Sequence, residues 1–295
     1  MSALTTAERR AYQQICEPNG RMLSIAMDQR AAMRKLIAAD GSASDADLTA
    51  AKVDLVRYLG NFAPSVLLDP EFALPRVVDE GVLARDCALI VGMDGSGYGS
   101  DDAGLRVSRL VDGISARGVR RLGGTCGKLN VYMRPDREGL DAHPARMIRS
   151  VLDDCAAEDL LLVVEILTYQ LDDEAPETYA AAAPALVVEA ARMARECGAK
   201  VMKLQYPGSA EGCAAVTAAL GGVPWAVLSA GVDHATFLGQ LRIALDNGAV
   251  GAIAGRSLWK DCLSPSAEER RVRLTERGLP RLREVQATLA AGLPG

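Results

Sequence analysis

The stretch Glu196-Cys-Gly-Ala-Lys-Val-Met-Lys-Leu-Gln-Tyr-Pro207 contains the end of a helical pattern, one glycine and a short strand-like run. Gly198 suits the left-handed residue that ends many helices, and the strand-like run follows it directly. The same unit recurs, so that eight strand-like runs lie at residues 23–27, 65–68, 87–91, 127–133, 161–167, 200–205, 225–229 and 250–254. Because apolar runs of this kind alternate with helical patterns, we expect parallel βαβ units whose strands are covered on both faces.

The pattern predicts one TIM (β/α)8 barrel domain over residues 1–295, with extra helices at the N- and C-terminal ends. Length alone would allow two domains, but no linker, low-complexity tract or shift in composition divides the chain. An open α/β sheet of six to nine strands is the alternative. Helical patterns between the strands lie at residues 45–59, 114–121, 144–158, 176–197 and 236–247.

Composition excludes several classes of function. The net charge of −5 gives no basic footprint, so neither nucleic acid nor a membrane is an expected partner. No apolar stretch is long enough to act as a signal peptide or to span a bilayer, and a cytoplasmic protein is expected. The seven cysteines are scattered, which favours reduced thiols. Only His143 and His234 are available as imidazole ligands, so we expect neither a metal site of several histidines nor a cofactor.

Polar residues interrupt or follow several of the predicted strands. In barrels of this type the active site lies at the carboxyl ends of the strands. The residues at or near those ends, in chain order, are Asp28, Gln29, Lys128, Glu165, Lys203, Ser229, Gly231, Gly255 and Arg256. Packing alone does not account for charges in three consecutive core strands, so we expect them to share one site.

Lys203 is the candidate nucleophile. A buried lysine that is kept neutral can form an imine with a carbonyl substrate. A second ammonium, Lys128, would lower the pKa of Lys203, and Glu165 could move protons during imine formation. Asp28 could hydrogen-bond a substrate hydroxyl or assist proton transfer. The structural alternative is that Glu165 is only the salt-bridge partner of Lys203.

The ends of the seventh and eighth strands predict an anion site. Backbone N–H groups near Ser229, Gly231 and Gly255 can bind an anion, and Arg256 can bind it with two parallel hydrogen bonds. Phosphate groups commonly bind there in these barrels. The Gly- and Asp-rich residues 94–104, by contrast, predict a long surface loop that could close over a ligand.

The chain resembles the class I (Schiff-base) aldolases of the tagatose-1,6-bisphosphate aldolase group, which includes the sulfofructosephosphate aldolases. The matching segments occur in the same order over about residues 22 to 260. They are Ala26-Met-Asp-Gln-Arg30, Leu67-Leu-Asp-Pro-Glu71 with Leu74-Pro75, Gly127-Lys128, Glu165-Ile-Leu-Thr-Tyr169, Lys203 before Pro207, Leu228-Ser-Ala-Gly-Val-Asp233 and Ala254-Gly-Arg-Ser-Leu-Trp259.

The resemblance implies a TIM barrel in which Lys203 forms the imine and Lys128, Glu165 and Asp28 assist it. It also implies that Ser229, Gly231, Gly255 and Arg256 bind the C1 phosphate. Gln29 is a further expected substrate-binding residue. Apart from the resemblance, the segment Arg134-Pro-Asp-Arg137 after the fourth strand adds two arginines, Arg134 and Arg137, that are expected to meet the distal anionic group of the substrate. One departure is Gln205, where the family commonly has a glutamate.

The sequence therefore predicts a metal-independent aldolase that reversibly cleaves a phosphorylated ketose to dihydroxyacetone phosphate and a three-carbon aldehyde. The ketose would be of the tagatose-1,6-bisphosphate or the 6-sulfofructose-1-phosphate type. The alternatives are a phosphosugar-binding or regulatory barrel with little turnover, a transaldolase and a deoxysugar-phosphate aldolase. A symmetric homo-oligomer is the expected assembly.

Overall fold

A computed structural model of the chain describes residues 4–291, and its centre is a closed barrel of eight parallel strands. Each strand pairs with its neighbours in sequence, and the first pairs with the last. The strands are β1 Met22–Ala26, β2 Ser65–Leu68, β3 Ala88–Gly92, β4 Cys126–Tyr132, β5 Leu161–Leu167, β6 Val201–Leu204, β7 Trp225–Leu228 and β8 Gly251–Ala254. The predicted TIM barrel is confirmed, and the open sheet is wrong.

Helices surround the barrel and follow most of its strands. They are α1 Thr6–Gln14, α2 Ala31–Ile37, α3 Asp45–Tyr58, α4 Arg76–Asp79, α5 Ala116–Arg121, α6 His143–Ala157, α7 Pro176–Glu196, α8 Ala210–Leu220, α9 His234–Asp246, α10 Arg256–Trp259, α11 Ala267–Arg273 and α12 Leu279–Ala291. A 3-10 turn covers Gly60–Phe62, a π-helical turn covers Leu274–Gly278, and a short antiparallel hairpin pairs Gly99–Ser100 with Arg106–Val107.

The sequence prediction did not include α2, α4, α8, α10 or the hairpin. Most of these elements are too short to show a helical or a strand period. The longest of them, α8, is rich in alanine and has few large apolar residues to mark its buried face.

The amino ends of the strands are closed by α1. The first residues of the strands, such as Met22 and Leu161, pack with Ala11 and Ile15 in one apolar cluster. Glu8 of α1 is buried there and forms an ion pair with Lys200 at 2.6 Å. The barrel is thus filled at its amino end, which leaves its carboxyl end for a site.

The strand register brings the inward-facing polar residues to one level. Lys203 of β6 lies beside Glu165 of β5, and Glu165 lies beside Asn130 of β4. Neighbouring residues of this kind point to the same side of a sheet. Lys128, two residues before Asn130, therefore also points into the barrel.

Two further findings concern the sequence-based expectations. All seven cysteines are buried and free of disulfide bonds. Among residues 4–291, no helix combines the length and the apolar character needed to cross a membrane.

Candidate active site

Lys128 lies at the middle of a buried charged centre. Its Nζ is 2.9 Å from Oδ2 of Asp28, 3.0 Å from Oδ1 of Asp94 and 2.7 Å from Oε2 of Glu165. Burial alone would lower the pKa of Lys128, but the three carboxylates outweigh burial and hold this pKa well above its usual value. Lys128 is therefore a permanent cation at neutral pH.

Glu165 joins the two lysines of the centre. Its Oε1 lies 2.8 Å from Nζ of Lys203, while its Oε2 faces Lys128. Burial would raise the pKa of Glu165, but Lys128 and Lys203 outweigh it and keep the pKa below its usual range. An ionised carboxylate thus stands in contact with the ε-amino group of Lys203.

Asp28 is held in its ionised form by the same cations. Burial favours the neutral acid, yet the pKa of Asp28 lies far below its usual value because Lys128 and then Lys203 act against burial. Nε2 of Gln29 also donates to Oδ1 of Asp28 at 3.1 Å. The Asp28 carboxylate is suited to accepting hydrogen bonds.

The charge balance differs from the sequence-based expectation. The sequence predicted Lys128 as a second ammonium near Lys203, with one carboxylate, Glu165, in the same space. In the structure the carboxylate of Glu165 lies between Nζ of Lys128 and Nζ of Lys203, and two further carboxyl groups contact Lys128. The positive charge of Lys128 is thus shared among three acids.

Asp94 is a member of the centre that the sequence prediction missed. It follows β3 and was assigned to a surface loop, but its Oδ1 accepts from Lys128 and from the backbone N–H of Asn130 at 3.0 Å. Burial raises the pKa of Asp94, and the Asp28 and Glu165 carboxylates add to this effect against Lys128. Its position just after the carboxyl end of β3, where the active site of such a barrel lies, was the signal in the sequence that could have identified it.

A cavity of about 250 Å³ opens beside the charged centre. Lys203, Glu165 and Gln205 line one part of it. Other lining residues come from the ends of β1, β7 and β8, namely Gln29, Ser229, Gly231, Gly255 and Arg256. Seven of the ten predicted site residues therefore line the cavity. Two more lie behind Glu165, because Lys128 contacts Glu165 and Asp28 contacts Lys128.

The rim formed by β7 and β8 has the geometry of an anion site. The N–H of Gly255 donates to Oγ of Ser229 at 3.3 Å, which ties the two strand ends together. Ala230 and Gly231 have φ values of 48° and 83°, and such backbone is often found at ligand sites. The guanidinium of Arg256 lies against Gly231, and among residues 4–291 it donates only one long hydrogen bond, 3.4 Å, to the carbonyl of Ala230. Its charge is available for an anion.

A buried cation holds the end of β1 in place. Nζ of Lys52, on α3, donates to the carbonyls of Met27 and Gln29 and pairs with Asp69 at 2.5 Å. The two carbonyls flank Asp28 in sequence. Lys52 therefore fixes the backbone from which Asp28 reaches Lys128.

Gln205 follows β6 and is oriented by one neighbour. Its Oε1 accepts from the backbone N–H of Thr168 at 2.8 Å and from the Thr168 hydroxyl at 3.0 Å. This contact fixes the amide at the cavity wall.

Arg134 is not at the cavity, and its predicted contact with a substrate anion is wrong. Its side chain is 1% exposed, and each of its five N–H groups has an acceptor. The acceptors are the carboxylates of Asp136 and Glu174 and the carbonyl of Tyr169. No donor remains for a ligand, because the guanidinium serves to hold the segments after β4 and β5 together.

The two histidines lie outside the centre. His143 begins α6 and contacts the carbonyl of Ser108, and His234 begins α9 and contacts Glu284. Within residues 4–291, no three His, Cys, Asp or Glu side chains are arranged to hold a metal ion.

A family model described as "DeoC/LacD family aldolase" matches residues 22–261. Among similar curated proteins, the tagatose 1,6-diphosphate aldolase of Lactococcus lactis subsp. lactis is 28% identical over 293 residues, which cover 90% of this chain and 89% of that protein. The protein of the same name from Staphylococcus epidermidis is 28% identical over 288 residues, covering 88% and 87%.

Solved structures share the fold. A Schiff-base-forming fructose-1,6-bisphosphate aldolase superposes with a TM-score of 0.67 at 21% identity, covering 96% of this chain and 99% of that one. A fructose-bisphosphate aldolase from Slackia heliotrinireducens has a TM-score of 0.66 at 17% identity, covering 98% and 92%.

Proposed function

The chain belongs to the DeoC/LacD family of aldolases, and we propose that it cleaves a phosphorylated ketose through an imine on Lys203. The observation that carries this proposal is the contact between Lys203 and Glu165 at the floor of a cavity with an anion-binding rim. Relatives named as tagatose 1,6-diphosphate aldolases support a ketose phosphate as the substrate.

The first step is imine formation. Nζ of Lys203 attacks the ketone carbon, and Glu165, in contact with Nζ, carries protons from the nitrogen to the departing oxygen. The ammonium and the carbonyl become an iminium and one water molecule. Lys128 keeps Glu165 oriented through its other oxygen.

The second step breaks the carbon–carbon bond. The bond's electron pair moves toward the iminium and gives an enamine, while the neighbouring hydroxyl loses its proton to a carboxylate of the centre and becomes the aldehyde. Asp28 is placed to accept a hydrogen bond from a substrate hydroxyl. Protonation of the enamine carbon and hydrolysis of the imine then release dihydroxyacetone phosphate and restore Lys203.

The substrate's C1 phosphate fits the rim of β7 and β8. Arg256 supplies a positive charge without an acid partner among the described residues, and the strand ends supply backbone N–H groups. This rim lies next to Lys203, as a phosphate one carbon from the imine requires.

Borohydride trapping tests the imine. Incubation with dihydroxyacetone phosphate and sodium borohydride should attach a reduced adduct to Lys203, located by peptide mass spectrometry. Lys203→Met should give no adduct and lose cleavage activity by at least about 10³-fold, since the covalent route is lost. Lys35→Met, at an exposed position on α2, is the matched control and should behave as wild type. An adduct on another lysine, or activity in Lys203→Met, would disprove the proposal.

A substrate panel separates the rival functions. Tagatose and fructose 1,6-bisphosphates, 6-sulfofructose 1-phosphate and deoxyribose 5-phosphate should be compared, with dihydroxyacetone phosphate assayed as product. Cleavage of deoxyribose 5-phosphate alone would favour a deoxysugar-phosphate aldolase, and binding without turnover would favour a regulatory barrel. Loss of activity on treatment with a chelator would point to a metal-dependent mechanism instead.

A further inference from the structure

Three tyrosine rings surround the guanidinium of Arg106. Its central carbon lies 4.3 Å from the ring centre of Tyr98, 4.4 Å from that of Tyr169 and 5.3 Å from that of Tyr132. The rings meet edge to face, at 5.1 Å between Tyr98 and Tyr132 and 5.9 Å between Tyr132 and Tyr169. Distances of this size are those of cation–π contacts. We call this group the tyrosine cage.

The tyrosine cage holds a cation that has no acid partner in the described part of the chain. Among residues 4–291, the guanidinium of Arg106 forms no ion pair and donates no hydrogen bond, and its contacts are those with the three rings. Only the backbone of Arg106 is bonded, through its N–H to the Tyr169 hydroxyl at 2.8 Å. Arg134, whose five N–H groups all have acceptors, shows the opposite arrangement.

Stacking on aromatic rings leaves the in-plane N–H groups of a guanidinium unused. Arginine is suited to this double role, because its faces pack on rings while its planar fork can grip an oxyanion with two hydrogen bonds. The cage also restricts the side chain in advance, so less rotamer freedom is lost when an anion binds.

The cage lies at the mouth of the barrel. Tyr132 ends β4 and is paired in register with Leu167, which lines the cavity beside Lys203. Asn130 is paired in register with Glu165, and Tyr132 comes two residues later in β4. Tyr132 therefore lies about 7 Å beyond the level of Glu165, toward the carboxyl end of the strand. A ligand anchored at Lys203 and reaching toward solvent on this side meets the cage.

The strand order places Arg106 and Arg256 on opposite sides of Lys203. Arg256 follows β8, and the cage is built on the ends of β4 and β5 and on the hairpin after β3. In a ring of eight strands β4 is opposite β8, and β6, which carries Lys203, is two strands from each. A ketose whose C1 phosphate lies at β8 therefore directs its other end toward β4.

We propose that Arg106 binds the distal anionic group of the ketose, and the same group on the aldehyde product. This proposal rests on the proposed function and adds a residue that selects substrates with a charged far end over those without one. The group would be a tetrahedral oxyanion, either a phosphate ester or a sulfonate. Arg106 thus takes the place that the sequence prediction gave to Arg134.

The test uses the condensation reaction. Dihydroxyacetone phosphate is supplied at saturation, and KM and kcat are measured for glyceraldehyde 3-phosphate, for 3-sulfolactaldehyde and for uncharged glyceraldehyde. Arg106→Gln should raise the KM of the preferred charged aldehyde about 10- to 100-fold, the range for one charge-assisted hydrogen-bonded pair. Values for glyceraldehyde should change less than about twofold, which also shows that the variant is folded.

Arg109→Gln is the matched control. Arg109 lies three residues away in the same segment and is exposed, and its guanidinium donates within the described residues only to the carbonyl of Ser96. Its replacement removes the same charge and should leave all three KM values unchanged. Arg106→Lys keeps a positive charge but not the planar guanidinium. Its KM for the charged aldehyde should lie between the values of Arg106→Gln and wild type.

The outcomes separate this inference from the proposed function. If Arg106→Gln raises the KM of charged and uncharged aldehydes equally, the cage is only structural. An unchanged KM for the charged aldehydes in Arg106→Gln would also overturn the inference. Both leave the aldolase proposal standing if the borohydride adduct on Lys203 still forms. If wild type forms no adduct and condenses none of the aldehydes, both proposals fail. The charged aldehyde whose KM rises more in Arg106→Gln shows which group Arg106 binds, a phosphate or a sulfonate.

Discussion

Lys128 determines the ionisation of the buried centre. Three carboxylates lie within hydrogen-bonding distance of its ammonium, and Glu165 joins it to Lys203. Three carboxyl groups and two lysine side chains thus share one buried space. Removing one cation from such a group leaves carboxylates without compensation, which raises their pKa values.

Lys128→Met should therefore change the pH dependence of catalysis. We expect kcat to fall by about 10²- to 10⁴-fold, the usual range for losing proton-transfer assistance, and the acidic limb of the kcat profile to move to higher pH. The limb moves upward because Glu165 and Asp28 lose the cation that lowers their pKa values. The measurement is kcat for ketose cleavage from pH 4 to 9.

Loss of a buried partner also affects folding. The free energy of unfolding of Lys128→Met should drop by about 3–5 kcal/mol, because buried carboxylates remain unpaired. Lys35→Met provides the comparison at an exposed position. A profile that keeps its acidic limb in place would show that Lys128 does not set these pKa values.

At the scale of elements, the ends of β1 and β8 are packed backbone to backbone. A Cβ added to Gly255 would lie 2.7 Å from the carbonyl oxygen of Ala26, closer than side chains come to neighbouring atoms. The indole N–H of Trp259 donates to the same oxygen at 3.1 Å. Since Arg256 begins α10 directly after Gly255, this close approach fixes where its guanidinium stands.

Gly255→Ala should weaken phosphate binding more than it weakens catalysis at saturation. The backbone after β8 must move to make room, and Arg256 moves with it. We expect KM for the ketose phosphate to rise at least about tenfold, the loss of roughly one good contact. Steady-state kinetics and the midpoint of thermal unfolding are the measurements.

Gly239→Ala is the control for this substitution. Gly239 lies within α9, and a Cβ there would meet nothing within 4 Å. The change should raise the free energy of unfolding by about 0.5–1 kcal/mol, because alanine favours a helix interior. KM in Gly239→Ala should stay at the wild-type value, and equal effects of both substitutions would contradict the role given to Gly255.

For the molecule as a whole, the buried centre links folding to pH. Asp28 and Glu165 have pKa values lowered by folding, so they bind fewer protons in the folded than in the unfolded state near pH 4. Their contribution to stability is present above about pH 4 and is lost as pH falls. Asp94, with a raised pKa, contributes in the opposite sense, and its contribution is lost as pH rises through that pKa.

Acid unfolding should reveal this linkage. The free energy of unfolding of the wild type should fall steadily below about pH 4, and the fall should be smaller in Asp28→Asn, which removes one of the lowered groups. Urea unfolding, followed by circular dichroism between pH 2.5 and 7, measures the free energy of unfolding of both proteins. Parallel curves for the two proteins would show that Asp28 has the same pKa in the folded and unfolded states.

The sequence by itself determined the barrel and the set of inward-facing charges. Alternating apolar strands and helices are local patterns, and a strand of period two fixes which of its residues face inward. Lys128, Glu165 and Lys203 could be found because each interrupts an apolar run, and Ser229 and Arg256 because each stands just beyond a strand end.

Only the tertiary structure decided which partners these residues have. Lys128 meets Asp28 and Asp94 from 100 and 34 positions away, and Arg134 meets Glu174 from 40 positions away. Partners that far apart are brought together by the closure of the barrel, and no local pattern records them. For the same reason Arg134 could be mistaken for a free cation. Arg106, which has no acid partner among residues 4–291, could not be identified from its surroundings in sequence.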